Sequence, residues 1–177
     1  MFTSFTHSLA AGTILLQIVI VLGVVAYMSP ASGMKNIFSY LRRHALFLAW
    51  LLSLGATAAS LFYSNIVGFT PCSLCWWQRI FMYPQVIILG MAWRKKDDFA
   101  IQYSLPILAI GALVALYHTY LQYGGTSLLP CNAGNAAASL CAQRPIWEFG
   151  YITLPLMSLT AFVAMIALLA LRKKATR

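Results

Sequence analysis

The sequence predicts an all-α integral membrane protein, a four-helix transmembrane bundle core with one extra N-terminal transmembrane helix. Three observations carry this reading. The 177 residues are 61% hydrophobic and only 8% charged, where soluble domains hold about a quarter charged. The apolar residues gather into five runs, each able to cross about 30 Å of hydrocarbon, which takes roughly 20 residues. The basic residues fall in short clusters between those runs. They form no single patch, so the net charge of +9 does not point to nucleic acid. With no soluble linker, internal repeat or low-complexity tract, residues 1–177 read as a single membrane domain.

The first run, about 9–28, is uncharged. Read as a signal peptide, it would be cut near Ala31. The residues before it carry no Lys or Arg, so the positive region of such a signal is missing. Cleavage would also leave Lys35, Arg42 and Arg43 on the far side, against the charge pattern. It therefore reads as an uncleaved span added to the core. The remaining runs are about 45–67, 75–93, 100–121 and 147–171, the third being the shortest and carrying Arg79 near its start.

Charge sets the orientation. Lys35, Arg42 and Arg43 lie between spans one and two, and Arg94, Lys95 and Lys96 between spans three and four. Arg172, Lys173, Lys174 and Arg177 follow span five. Ten of the twelve basic residues thus share one side, which the positive-inside rule makes cytoplasmic. Five spans then put the N-terminus outside and the C-terminus inside. The only acidic residues are Asp97, Asp98 and Glu148.

This topology places all four cysteines outside: Cys72 and Cys75 in the loop at about 68–74 or on the first turn of span three, Cys131 and Cys141 in the loop at about 122–146. Disulfides persist in such an oxidising compartment. Four cysteines allow three connectivities, and the sequence does not choose among them. Cys131 and Cys141, in "SLLPCNAGNAAASLCAQRP", suit a structural staple as well as a functional pair. Cys72 and Cys75, in "GFTPCSLCWWQRIFMYP", are a poor staple, because a four-residue ring removes almost no chain entropy. Their closeness favours reversible thiol exchange. Zinc would need four converging ligands, usually with a tighter second pair. Covalent haem is excluded, since Trp76 and not His follows Cys75.

Arg79 lies four residues after Cys75, one helical turn on and on the same face. A guanidinium there favours a thiolate and can hold an anion or a carbonyl oxygen; the plainer reading is an interfacial Arg reaching for headgroups. Trp76 and Trp77 read as interfacial aromatic belt. His118, in "LVALYHTYLQYGG", ends span four at a depth like that of Arg79, as a functional group or a satisfied interior histidine. An outward dithiol beside an Arg must pass its electrons on, and the chain carries no haem, flavin or nucleotide motif. A lipid-soluble quinone fits the position, with the loop pair placed to meet a soluble thiol protein.

The blocks "PCSLCWWQRI", "LYHTYLQ", "LPCNAGNAAASLCAQ" and "FGYITLPLMSLTAF" resemble the disulfide bond formation protein B family (DsbB), especially its BdbC-like branch, over roughly residues 45–171. The resemblance implies a four-helix oxidoreductase of the bacterial cytoplasmic membrane. Such a protein reoxidises an extracytoplasmic thioredoxin-like, DsbA-type disulfide donor and reduces a membrane quinone, ubiquinone or menaquinone. It implies that Cys131 takes the mixed disulfide with the donor, and that Cys141 pairs with Cys131 at rest and with Cys72 during transfer. It also implies that Cys75 engages quinone as a thiolate, with Arg79 and His118 at the quinone site and no metal. Span one lies outside the family's core, and the second cysteine pair is closely spaced, as in the BdbC-like branch. A vitamin K epoxide reductase-like protein would place its Cys-x-x-Cys near the end of a late span. A non-enzymatic bundle with structural disulfides would line a path with mid-membrane polar groups, and the spans hold no mid-membrane Asp or Glu.

Overall fold

The structure, a computed structural model, describes residues 2–28, 35–125, 141 and 146–173. Five long helices make it up: α1 (Phe2–Met28), α2 (Lys35–Leu61), α3 (Ser73–Lys95), α4 (Ala100–Gln122) and α5 (Leu154–Lys173). Helix α2 runs on into a π-helical turn, Phe62–Ile66. No strand occurs among the described residues, only a bridge between Glu148 and Ile152. Helices α1, α2 with its π turn, α4 and α5 are long and apolar enough to cross a membrane, with mean hydropathies of 2.5, 1.9, 1.7 and 2.3. Helix α3 carries Gln78, Arg79 and Gln85 among its apolar residues, yet its 23 residues reach ~34 Å, enough for the same crossing.

The core is a closed ring of four helices, α2 against α3, α3 against α4, α4 against α5, and α5 back against α2. Leu46, Leu89, Leu108, Phe162, Met165 and Leu169 fill its centre. Close approach needs small residues, as is usual where helices pack in lipid. A Cβ at Gly111 would come within 2.5 Å of the Phe162 ring, and one at Gly90 within 2.9 Å of Trp50. Helix α1 lies outside the ring, mainly against α5, and turns Leu15, Val19 and Leu22 outward.

The two ends of the bundle differ in chemistry. At one end Arg172 pairs with Asp98 (2.5 Å) and donates to the carbonyls of Arg42 (3.4 Å) and Arg43 (3.2 Å). The described cysteines lie at the other end. There, too, Thr6 of α1 meets Tyr63. Helix α5 begins at Leu154, later than residue 147 where the apolar run starts. The reason is a tight turn: Glu148 and Ile152 exchange backbone hydrogen bonds of 3.0 and 2.8 Å, with Phe149 (φ 51°) and Gly150 (φ 79°) in the left-handed region. Trp147, Phe149 and Tyr151 belong to this turn and stay exposed, as an interfacial aromatic girdle does.

Candidate active site

Cys72 caps the N-terminus of α3 with an extended backbone (φ −72°, ψ 172°), and Cys75 sits on the first turn. That spacing returns both side chains to one face, and their sulfurs stand 3.3 Å apart as a dithiol, Cys72 donating to Cys75. The helix N-terminus and Arg79 one turn on both favour negative charge on the Cys75 sulfur.

His118 of α4 is buried and organises the cluster. Its Nε2 lies 3.7 Å from Cys72 Sγ and 3.2 Å from the carbonyl oxygen of Cys141. Its Nδ1 lies 2.9 Å from Gln78 Nε2, while Gln78 Oε1 accepts from Ser158 of α5 at 2.5 Å. With the amide oxygen so engaged, the NH2 group donates to Nδ1. The ring proton then sits on Nε2, facing the cysteines.

Cys141 is fully buried. Its sulfur lies 3.7 Å from Ser73 Oγ and interacts with the sulfur of Cys72. The Cys72 thiol is pushed up to about 11, first because it donates to Cys75 and then by burial, with His118 pulling the other way. The Cys141 thiol is also held above its ordinary value, first by burial and then by its bond with Cys72. Both environments therefore favour the protonated thiol when reduced. Cys131 lies outside the described residues.

Arg79 is anchored from α2. Its Nε donates to Ser60 Oγ (3.0 Å), and its Nη2 donates to Ser64 Oγ (3.0 Å) and the Ser60 carbonyl (3.3 Å). Tyr83 donates to the same Ser60 hydroxyl at 3.3 Å. Ser60 and Ser64 reach the guanidinium together because α2 loosens into its π turn there, a device common at functional sites. Among the described residues no carboxylate pairs with Arg79. Trp76, read from sequence as belt, also covers the guanidinium, its ring centroid 5.3 Å from Cζ. Trp77 stacks on Phe81 and stays exposed.

These groups border a cavity of about 400 Å³. Cys72, Cys75, Gln78, Arg79 and His118 reach it, and its other walls are mostly apolar, including Leu51, Met82 and Phe162. An apolar chamber with a few convergent polar groups suits a flat, mostly apolar ring bearing carbonyl oxygens. Hence the quinone-binding pair expected from sequence, Arg79 and His118, shares one chamber with the dithiol. Ligand atoms of Cys72, Cys75 and His118 also lie within 4.8 Å of one another, three donors where structural zinc takes four. The parts that sequence reading missed are Ser60, Ser64, Ser158 and the bridging role of Gln78. The only signals for them were the i, i+4 spacing of the two serines and the polar Gln78 beside Arg79 in an apolar run.

A family model described as "Disulfide bond formation protein DsbB" matches residues 42–172. Among curated proteins, "Probable disulfide formation protein C 1" of Bacillus anthracis is 44% identical over 127 residues, covering 69% of this chain and 86% of that one. "Disulfide bond formation protein C" of Bacillus subtilis is 40% identical over 131 residues, 72% of this chain and 91% of its own. "Probable disulfide formation protein" of Deinococcus radiodurans is 39% identical over 131 residues, 71% and 86% of the two chains. No solved structure matches.

Proposed function

The chain belongs to the disulfide bond formation protein DsbB family and is a membrane disulfide oxidoreductase, and from that premise we propose that it links a soluble disulfide donor to the quinone pool. The donor is an extracytoplasmic thioredoxin-like protein of the DsbA type. The membrane is the bacterial cytoplasmic membrane, with the cysteines on its outer side, the N-terminus out and the C-terminus in.

The observation that carries the reading is one juxtaposition. Cys141 adjoins Cys72, Cys72 adjoins Cys75, and Cys75 borders the chamber that holds Arg79 and His118. In the proposed sequence, a thiolate of the reduced donor attacks Cys131 of a Cys131–Cys141 disulfide. A mixed disulfide forms and Cys141 leaves as thiolate. Cys141 attacks Cys72 of a Cys72–Cys75 disulfide and releases Cys75 as thiolate. The donor's second thiol expels Cys131, which attacks Cys141 and frees Cys72. The loop disulfide is then restored, the donor is oxidised, and Cys72 and Cys75 hold two electrons.

A quinone held in the chamber by Arg79 and His118 would supply the two-electron, two-proton acceptor with which the Cys72–Cys75 disulfide reforms. Arg79, fixed by Ser60 and Ser64, holds a donor toward a carbonyl oxygen and stabilises charge developing there. His118, with its proton on Nε2, turns a hydrogen-bond donor toward the Cys72 sulfur and favours the thiolate that exchange requires there. The test mixes purified protein in liposomes with reduced donor and a short-chain quinone, and follows quinone absorbance for the parent, Cys75→Ser and Cys131→Ser. Consumption by the parent alone supports the relay. No consumption, with all four cysteines staying oxidised, leaves a stapled bundle.

A further inference from the structure

The chamber beside the dithiol has a wall that the four-helix core does not supply. Ser8, Leu9, Gly12, Thr13 and Leu16 of α1 line it, recurring at the spacing of one helix face. Helix α1 lies outside the residues that match the family, 42–172.

Four contacts seat α1 there. Thr6 meets the Tyr63 hydroxyl at 3.3 Å, and Phe5 packs on Phe62 with ring centroids 4.1 Å apart. Gln17 donates to Thr160 of α5 at 3.0 Å and accepts from the Tyr151 hydroxyl at 3.0 Å. Polar bonds of this kind fix which faces of two membrane helices meet.

What α1 offers the chamber is shape. The hydroxyls of Ser8 and Thr13 donate to the carbonyls of Ser4 and Leu9, at 2.8 Å each, so their protons are used within α1. Gly12 presents bare backbone. A Cβ built there meets nothing within 4 Å, so a side chain at this position has open space to fill without displacing a neighbour.

We propose that α1 is the lipid-side wall of the quinone chamber, and that position 12 sets the ring width the chamber accepts. Glycine leaves room for a bicyclic naphthoquinone as well as a monocyclic benzoquinone. This rests on the quinone reading above. It makes α1 a specificity element added to a core that carries the thiol chemistry.

The test reads binding without turnover, as quenching of tryptophan fluorescence by a short-chain naphthoquinone and a short-chain benzoquinone. The proteins are the parent, Gly12→Leu, Gly12→Phe and a lipid-facing control, Val19→Phe. The expected result is naphthoquinone binding weakened about tenfold or more by Gly12→Phe, equivalent to about 1.4 kcal/mol. Benzoquinone should be weakened less, with Gly12→Leu between and the control unchanged. Independently of any variant's folding, a photoreactive naphthoquinone should label the parent's peptide containing residues 8–16. Unchanged binding in Gly12→Phe, or label confined to α3 and α4, overturns the proposal while leaving the quinone site in place. No saturable binding of either quinone to the parent overturns that site, and the proposal with it.

Discussion

Gln78 and His118 share a buried hydrogen bond of 2.9 Å, and it decides which ring nitrogen faces the cysteines. Ser158 holds the far end of the Gln78 amide, so residues of α3, α4 and α5 join in one chain of hydrogen bonds. A buried network of this kind is sensitive to any missing member.

Gln78→Leu should keep the bundle but leave Nδ1 of His118 without its partner, while the Ser158 hydroxyl keeps its bond to the Pro155 carbonyl. An unsatisfied buried group costs about 1–3 kcal/mol. The expected outcome is thiol transfer slowed about tenfold or more, measured by rapid acid quench of the protein's cysteines after mixing with reduced donor. A rate equal to the parent's would show that the ring needs no such positioning.

Arg79→Ala should fold normally, because its partners Ser60 and Ser64 keep their places on α2 and its π turn. Hydrogen bonds from a charged group contribute about 1.5–3 kcal/mol. The apparent Michaelis constant for quinone should therefore rise by about tenfold or more. An unchanged constant would remove Arg79 from the site.

In the reduced protein Cys72 should resist alkylation well beyond the ordinary thiol range. Its pKa is raised from 9.0 to about 11. Since the folded value lies above the unfolded one, this thiol's contribution to stability is complete below about pH 9 and is lost as pH rises toward 11. Iodoacetamide labelling of Cys72, followed by peptide mass, should climb across that interval. A labelling midpoint at 9.0 would contradict the buried Cys72–Cys75 bond.

Much of this architecture is legible in the sequence because the signals are local. Runs of apolar residues, clusters such as Arg94–Lys96, and the four-residue step from Cys75 to Arg79 need no knowledge of which helices meet. What is not legible depends on helix facing. Gln78 and Ser158 are 80 residues apart in sequence, and Gln17 and Thr160 are 143 apart, so no window holds both partners. The start of α5 is misleading for another reason: Trp147, Phe149 and Tyr151 read as apolar span but belong to a left-handed turn at Phe149 and Gly150.

Two glycines should answer differently to the same change. Gly111→Ala puts a methyl group within 2.5 Å of Phe162, an overpacking that costs about 1–3 kcal/mol. Gly55→Ala meets nothing within 4 Å and should be nearly neutral. Thermal unfolding in detergent should separate them, and equal midpoints would contradict the close approach of α4 and α5.

The most direct test of the relay is to catch the bond between its two halves. A thioredoxin-like donor stripped of its second active-site cysteine is mixed, reduced, with oxidised protein lacking quinone, then acid-quenched and mapped by mass spectrometry. The relay predicts a donor–Cys131 disulfide together with a Cys72–Cys141 disulfide, leaving Cys75 as the free thiol. A donor–Cys131 bond with Cys141 still a free thiol and Cys72–Cys75 intact would contradict transfer between the pairs.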